Sequence, residues 1–141
     1  MCVDCSRNIY CKSVYNEIII IMNDEKTIRP RRSFIFCPGI KPNLFEKAIS
    51  SGSDMVCVEL EDGIAPKDKK MARERSLPLF KNSKRTEVEK ILRINSIRES
   101  FGIDDLQAIL KMYNPPDALM LPKVKSPDEV LIVDALLKEK K

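Results

Sequence analysis

The chain reads as an α/β protein built on a parallel sheet, and three observations predict it. Four short apolar runs alternate with segments whose apolar residues recur at helical spacing. The links between them are short, and strand–helix–strand connections of that kind produce parallel strands with right-handed crossovers. Of the 141 residues, 43% are hydrophobic and 33% charged, the balance of one globular domain.

The first run, Ser33 to Cys37, is closed by Pro38-Gly39, a strand followed by a turn. From Pro42, residues Leu44, Phe45, Ala48 and Ile49 mark one face of a helix, and Gly52 stands where that helix must stop. The second strand is "DMVCVELEDG", Asp54 to Gly63. Pro66 opens a charged helical segment carrying Met71, Ala72 and Leu79 and broken by Pro78; its run Lys67-Asp68-Lys69-Lys70 reads as a solvated face. Val88 to Asn95 is the third strand. Gly102-Ile103-Asp104-Asp105 leads into a helix with Leu106, Ile109, Leu110 and Tyr113, ended by Pro115-Pro116. Asp117 to Val124 is the fourth strand. Ser126, Pro127 and Glu129 form a helix start, with Ser126 as N-cap, Pro127 at the first helical position and Glu129 completing a capping box.

Residues 1–28 differ in character and are expected to be a disordered or spurious leader, with Met22 as the natural start and the domain running over 29–141. Cys2, Cys5 and Cys11 have no fourth ligand at finger spacing, so zinc is not predicted. The run Ile18 to Met22 is far shorter than the roughly 20 residues of a membrane span, so no membrane partner is expected. Without a secretory leader the five cysteines are expected as thiols in the cytoplasm. The net charge of +4 includes Arg29, Arg31, Arg32, Lys138, Lys140 and Lys141. No aromatic interleaving or binding motif accompanies "RPRR", so no nucleic-acid partner is expected.

Histidine is absent, which removes Ser-His-Asp and Cys-His nucleophile systems. Chemistry must rest on carboxylates, Arg, Lys or Cys. Period-two alternation puts Cys57, Glu59 and Glu61 on one face of the second strand and Val56, Val58 and Leu60 on the other. If the valine face packs on helices, the acids point inward. The same logic puts Ile91, Arg93 and Asn95 on the inner face of the third strand and leaves Lys123 at the end of the fourth. Acids, a guanidinium and an amine are therefore expected on one rim, at the C-terminal strand ends where such sheets gather their chemistry. A buried ion-pair network serving packing alone is the competing reading.

In order along the chain, "RRSFIFCPG", "KPNLFEKA", "ELEDGIAPKDKKMAR", "LRIN", "FGIDDL" and "LPKVKSPDEV" resemble the HpcH/HpaI aldolase and citrate lyase β-subunit family, over roughly Arg31 to Leu137. "LEDGIAP" and "LRIN" are similar to its acyl-CoA lyase branch, and "KPNLFEK" is closer to malyl-CoA lyases than to the citrate lyase subunit. The resemblance implies a (β/α)8 barrel of the TIM type, of which this chain holds about the first four βα units, a half barrel. It implies a carbon–carbon lyase that cleaves or forms a 3-hydroxyacyl-CoA of malyl, citramalyl or citryl type, giving acetyl-CoA and a 2-oxo acid. CoA thioester and oxo acid are then the partners, and the family is expected to form homo-oligomers.

By the same resemblance Mg2+ is the cofactor. Arg93 matches the substrate arginine, and Glu61 and Asp62 match acids that hold metal-bound waters. Phe36, Lys41 and Lys47 match positions that contact CoA, Lys41 replacing an arginine. Direct metal ligands are expected beyond residue 141, at the ends of a fifth and sixth strand. The chain is therefore expected to be inactive alone, with open edges at its first and fourth strands and an exposed inner face. The alternative is a non-catalytic CoA-binding module or a degenerate fragment.

Overall fold

The computed structural model describes residues 9–10, 18–21, 30–81 and 87–139. Two short strands come first, β1 (Ile9–Tyr10) and β2 (Ile18–Ile21). Then β3 (Phe34–Pro38) leads through α1 (Leu44–Ile49) to β4 (Met55–Glu59). A 3₁₀ turn at Pro66–Asp68, α2 (Lys69–Ser76) and α3 (Pro78–Lys81) precede β5 (Glu89–Arg93). The last elements are α4 (Ser100–Leu110), β6 (Ala118–Leu121) and α5 (Pro127–Glu139). Strand order is β1-β2-β6-β5-β4-β3, with β3 to β6 mutually parallel, as the alternating pattern predicts.

Each parallel strand is apolar on both faces, but the faces pack differently. Val56, Val58, Leu60, Leu92, Ile94, Leu119 and Leu121 form the main core with Phe45, Ile109 and Val133. The other face carries Met55, Cys57, Ile91, Ala118 and Met120, with Phe34 packed against them. None of those five is more than 8% exposed, so the expected bare inner face is not found there; Phe36, at 46%, is the exposed apolar side chain of β3.

The fourth strand's edge also departs from expectation. β2 pairs antiparallel with all of β6, Ile18 opposite Leu121 through Ile21 opposite Ala118. Within the stretch read as a leader, then, residues 9–10 and 18–21 are strands, and its other residues, Met22 among them, lie outside the described set. The physical reason is that a β-branched run satisfies the open backbone of β6, while Ile20, only 2% exposed, adds an apolar side chain to the main core.

At the opposite ends of the strands, two arginines of the basic run are spent on structure. Arg31 grips Glu89 through Nε and Nη2 at 2.6 and 2.8 Å. Arg32 grips Asp54 through Nε and Nη2 at 3.1 and 2.9 Å, and the backbone N–H groups of Arg32 and Ser33 donate to the same carboxylate.

Four further local readings are corrected. α4 begins at Ser100, so Gly102 lies inside it; a Cβ there would meet the Ser96 carbonyl oxygen at 2.1 Å, and glycine permits the close approach. Asn95 leaves the alternation of β5 and is 1% exposed, its Nδ2 donating to Asp105 of α4 at 2.7 Å. Lys69, read as part of a solvated face, is buried, because its ammonium donates to the Leu60 carbonyl at 2.9 Å and to that of Glu61. At α5 the Ser126 hydroxyl accepts from the Asp128 N–H at 3.1 Å, whereas the Glu129 carboxylate takes the Lys125 N–H.

Candidate active site

Parallel register aligns the strand ends. Glu59 is opposite Arg93 across β4 and β5, and Arg93 is opposite Met120 across β5 and β6. Because side chains alternate, Glu59 and Arg93 emerge on the face away from the helices, and the turn after β4 brings in Glu61 and Asp62. Arg93 Nη1 lies 3.2 Å from Glu59, while Nη2 pairs with Glu61 and lies 3.2 Å from Asp62. The two terminal guanidinium nitrogens thus face different carboxylates, Nη1 Glu59 and Nη2 both Glu61 and Asp62, which orients the fork.

Lys123 closes the group from the end of β6. Its ammonium lies 2.6 Å from Glu61 and 2.8 Å from Asp62. Its backbone has φ +52°, left-handed for a residue with a Cβ, a conformation that costs about 1–2 kcal/mol and concentrates at functional sites. Arg98 holds that bend by donating to the Lys123 carbonyl at 3.0 Å and pairing with Glu129 at 3.2 Å. The β4 turn is braced as firmly: the Glu61 N–H donates to the Glu59 carboxylate, and the Asp62 N–H to the Glu61 carboxylate at 3.0 Å.

The charges divide by environment. Burial pushes the Glu59 carboxyl above its ordinary value, opposed by the Arg93 guanidinium and the Glu61 N–H. Asp62, exposed, is held below its ordinary value chiefly by the hydrogen bond from Lys123, and Lys123 is raised in turn by Asp62 and Glu61. Burial raises the Cys37 thiol, which suits a structural cysteine better than a nucleophile.

Of the residues singled out by sequence, the structure brings Arg93, Glu61, Asp62 and Phe36 together. The Phe36 ring stacks on the Arg93 guanidinium, centroid to Cζ 5.6 Å. Lys41 lies in the β3–α1 turn, its N–H donating to the Pro38 carbonyl, and Lys47 in the last turn of α1; both side chains are exposed, outside the Arg93 ion pairs. Glu59, Lys123, Lys69 and Arg98 complete the site. Alternation and strand ends signalled the first two; nothing local in the sequence signals Lys69 or Arg98.

A direct metal site does not fit this donor set. Glu61 and Asp62 are charge-balanced by Arg93 and Lys123, and among the described residues no three ligating side chains converge to hold an ion. No helix among the described residues is long and apolar enough to cross a membrane.

Comparison with known proteins follows the same residues. The family described as HpcH/HpaI aldolase/citrate lyase matches residues 32–141. Human mitochondrial citramalyl-CoA lyase is 34% identical over 101 residues, 72% of this chain and 30% of that protein. The L-malyl-CoA/β-methylmalyl-CoA lyase of Cereibacter sphaeroides is 34% identical over 110 residues, 77% of this chain and 35% of that one. Among solved structures, the citrate lyase β subunit of Mycobacterium tuberculosis complexed with oxaloacetate and magnesium superposes with a TM-score of 0.59 at 30% identity, over 73% of this chain and 44% of its own. That protein is also solved with magnesium, acetoacetate and coenzyme A. The chain therefore spans about a third of the curated relatives' length.

Proposed function

The chain belongs to the HpcH/HpaI aldolase/citrate lyase family, and from that premise we propose that its strand-end cluster is part of a lyase site that makes or breaks a carbon–carbon bond beside a CoA thioester. The observation that carries the reading is the Arg93 guanidinium, locked between Glu59, Glu61 and Asp62 at the C-terminal ends of parallel strands. A fixed, permanently charged fork binds the carboxylate of a 2-oxo acid and steadies its carbonyl oxygen as charge develops there. Buried and raised, Glu59 holds a proton more readily than an exposed glutamate.

Substrates of malyl-CoA, citramalyl-CoA or citryl-CoA type, with acetyl-CoA and a 2-oxo acid as products, are supported by the names of the relatives and by the oxaloacetate, acetoacetate and CoA in the mycobacterial complexes. We assign Phe36, Lys41 and Lys47 to the CoA side, on their exposure around the end of β3 and the outer face of α1. Magnesium, present in those complexes, supplies Lewis acidity when bound. Its coordination shell is not made by the described residues, so Glu61 and Asp62 are assigned to water bound around it rather than to the ion. For that reason this chain alone is expected to bind rather than turn over. The buried thiols Cys37 and Cys57, neither in a disulfide, suit a reducing compartment, proposed as the cytoplasm, although the human relative is named mitochondrial.

Calorimetric titration with oxaloacetate and, separately, with CoA tests this reading. Saturable oxaloacetate binding that Arg93→Ala abolishes, beside CoA binding that survives the same substitution, is the expected pattern. CoA binding with no response to the oxo acid would instead support a CoA-binding module, and failure of both would remove the assignment from this chain.

A further inference from the structure

The β4–β5 ladder stops one bond short of where its register would carry it. Glu59 stands opposite Arg93, and the Leu60 N–H donates to the Arg93 carbonyl at 3.0 Å. In a parallel ladder the carbonyl of that same residue accepts from the N–H two positions further along the neighbouring strand, which here is that of Asn95. Instead the Asn95 N–H donates to the Asp105 carboxylate at 2.9 Å, and the Leu60 carbonyl accepts from the Lys69 ammonium at 2.9 Å. A buried carboxylate of α4 and a buried ammonium of α2 thus take the two halves of one main-chain bond.

The two helices are also fixed to each other. Arg73, one turn after Lys69 on α2, lies 2.9 Å from the same Asp105 and 3.2 Å from Asp104. Lys69 is therefore held on a braced helix, and it donates a second time, to the Glu61 carbonyl. Glu61 is the residue whose carboxylate takes Arg93 Nη2 and the Lys123 ammonium. With the ladder ended at Leu60, the acids of the turn meet Arg93 through side chains rather than backbone. Packing alone does not call for a charge at Lys69: both of its hydrogen bonds go to carbonyls, not to a carboxylate, and a buried charge is costly even when hydrogen-bonded. A methionine side chain has nearly the same length and none of that cost.

We propose that Lys69 is a positioning residue for Arg93: its ammonium ends the β4–β5 ladder at Leu60 and fixes the Glu61 backbone, so that the Glu61 carboxylate holds the guanidinium fork in the orientation that receives the carboxylate of a 2-oxo acid. The purpose rests on the lyase reading given above, whereas the geometry does not. Lys69 touches no reacting atom and acts through Glu61, as residues behind a binding group do when they set its direction.

Nitrogen-edited NMR of the arginine side chains, on the full chain and its Lys69→Met variant, tests the proposal without any ligand. In the parent, a guanidinium held through both terminal nitrogens rotates slowly, and its Nη–H signals should be resolved; Arg93→Lys identifies them by their loss. In Lys69→Met they should broaden and merge, while those of Arg31, clamped to Glu89 at the opposite ends of the strands, stay resolved. Calorimetry should show oxaloacetate binding weakened roughly 10-fold or more, with CoA binding unchanged. Lys69→Gln, whose shorter neutral amide cannot replace both bonds, should move both readings the same way by less, and it carries the test if Lys69→Met does not fold. Resolved Arg93 signals in a folded variant, with only the urea midpoint lowered, would overturn the proposal and leave Lys69 a packing role. Unchanged oxaloacetate affinity beside merged signals would overturn it too, because the orientation would then not matter to the oxo acid. If the parent itself binds no oxaloacetate, the lyase reading fails, and the Arg93 signals still decide whether Lys69 sets the fork.

Discussion

Glu59 and Arg93 stand opposite each other on adjacent parallel strands, one 3.2 Å ion pair set by register alone. Removing either partner does not have equal consequences. Arg93→Ala leaves three carboxylates facing one another without their shared guanidinium, and breaking a buried pair from one side costs about 3 kcal/mol or more. Glu59→Gln leaves Arg93 with Glu61 and Asp62 and should cost about 1 kcal/mol. Urea unfolding of both variants and of the double variant checks this, the double being less damaged than the sum. A loss below about 1 kcal/mol for Arg93→Ala would mean that the cluster is solvated and contributes little.

Lys123 makes two separable contributions. Its ammonium is the main reason Asp62 lies below the ordinary carboxylate value. Lys123→Met should therefore raise the Asp62 pKa toward that value, measured by carboxyl-carbon NMR titration; no movement would mean that Glu61 and Arg93 set it without the lysine. Its backbone carries the strain of φ +52°. Lys123→Gly should accordingly be more stable than Lys123→Ala by about 1 kcal/mol, since both remove the amine and only one relieves the conformation.

What the sequence disclosed and what it withheld follow from the range of the interactions. The split of β4 into a Val56, Val58 face and a Cys57, Glu59 face was legible because alternation is local, and it placed Glu59 beside Arg93. Gly52 marked its helix end because a φ of +81° favours glycine. Lys69 was misread because nothing adjacent shows that its ammonium reaches back to the Leu60 and Glu61 carbonyls. Asn95 was misplaced because Asp105, ten residues on, outbids strand alternation. β2 was missed for the same reason: its partner lies about a hundred residues away, and an isolated four-residue isoleucine run has no meaning without it.

The Arg32–Asp54 clamp predicts an acid-sensitive fold. Hydrogen bonds from Arg32 hold the Asp54 carboxyl well below the usual carboxylate range. A depressed carboxylate stabilises the fold above its unfolded pKa of about 3.9 and loses that contribution as pH falls through the folded value. Parent stability should therefore decline as pH drops below about 4. Asp54→Asn should start lower at neutral pH and decline less, so that the two curves converge in acid. Parallel curves from pH 7 to pH 2, followed by chemical denaturation at each pH, would show that another carboxylate governs acid unfolding.

Gly102 offers a test in which two magnitudes of opposite sign compete. Inside a helix, Gly→Ala ordinarily gains about 1 kcal/mol. Here the added methyl would stand 2.1 Å from the Ser96 carbonyl oxygen and 2.6 Å from that of Asn95, both backbone atoms that cannot swing aside. Relief requires α4 to move off the end of β5, and that shift pulls Asp105 from the Asn95 N–H, now 2.9 Å away, and from Arg73 of α2. Overpacking of this kind costs about 1–3 kcal/mol before the lost hydrogen bonds are counted, so the clash wins and Gly102→Ala should be less stable by about 2 kcal/mol. Ile103→Ala, one residue along the same helix and 44% exposed, should change stability by only about 0.5 kcal/mol. A Gly102→Ala variant as stable as its parent by thermal unfolding would show that α4 is free to slide and that the Asn95–Asp105 bond does not fix it against β5.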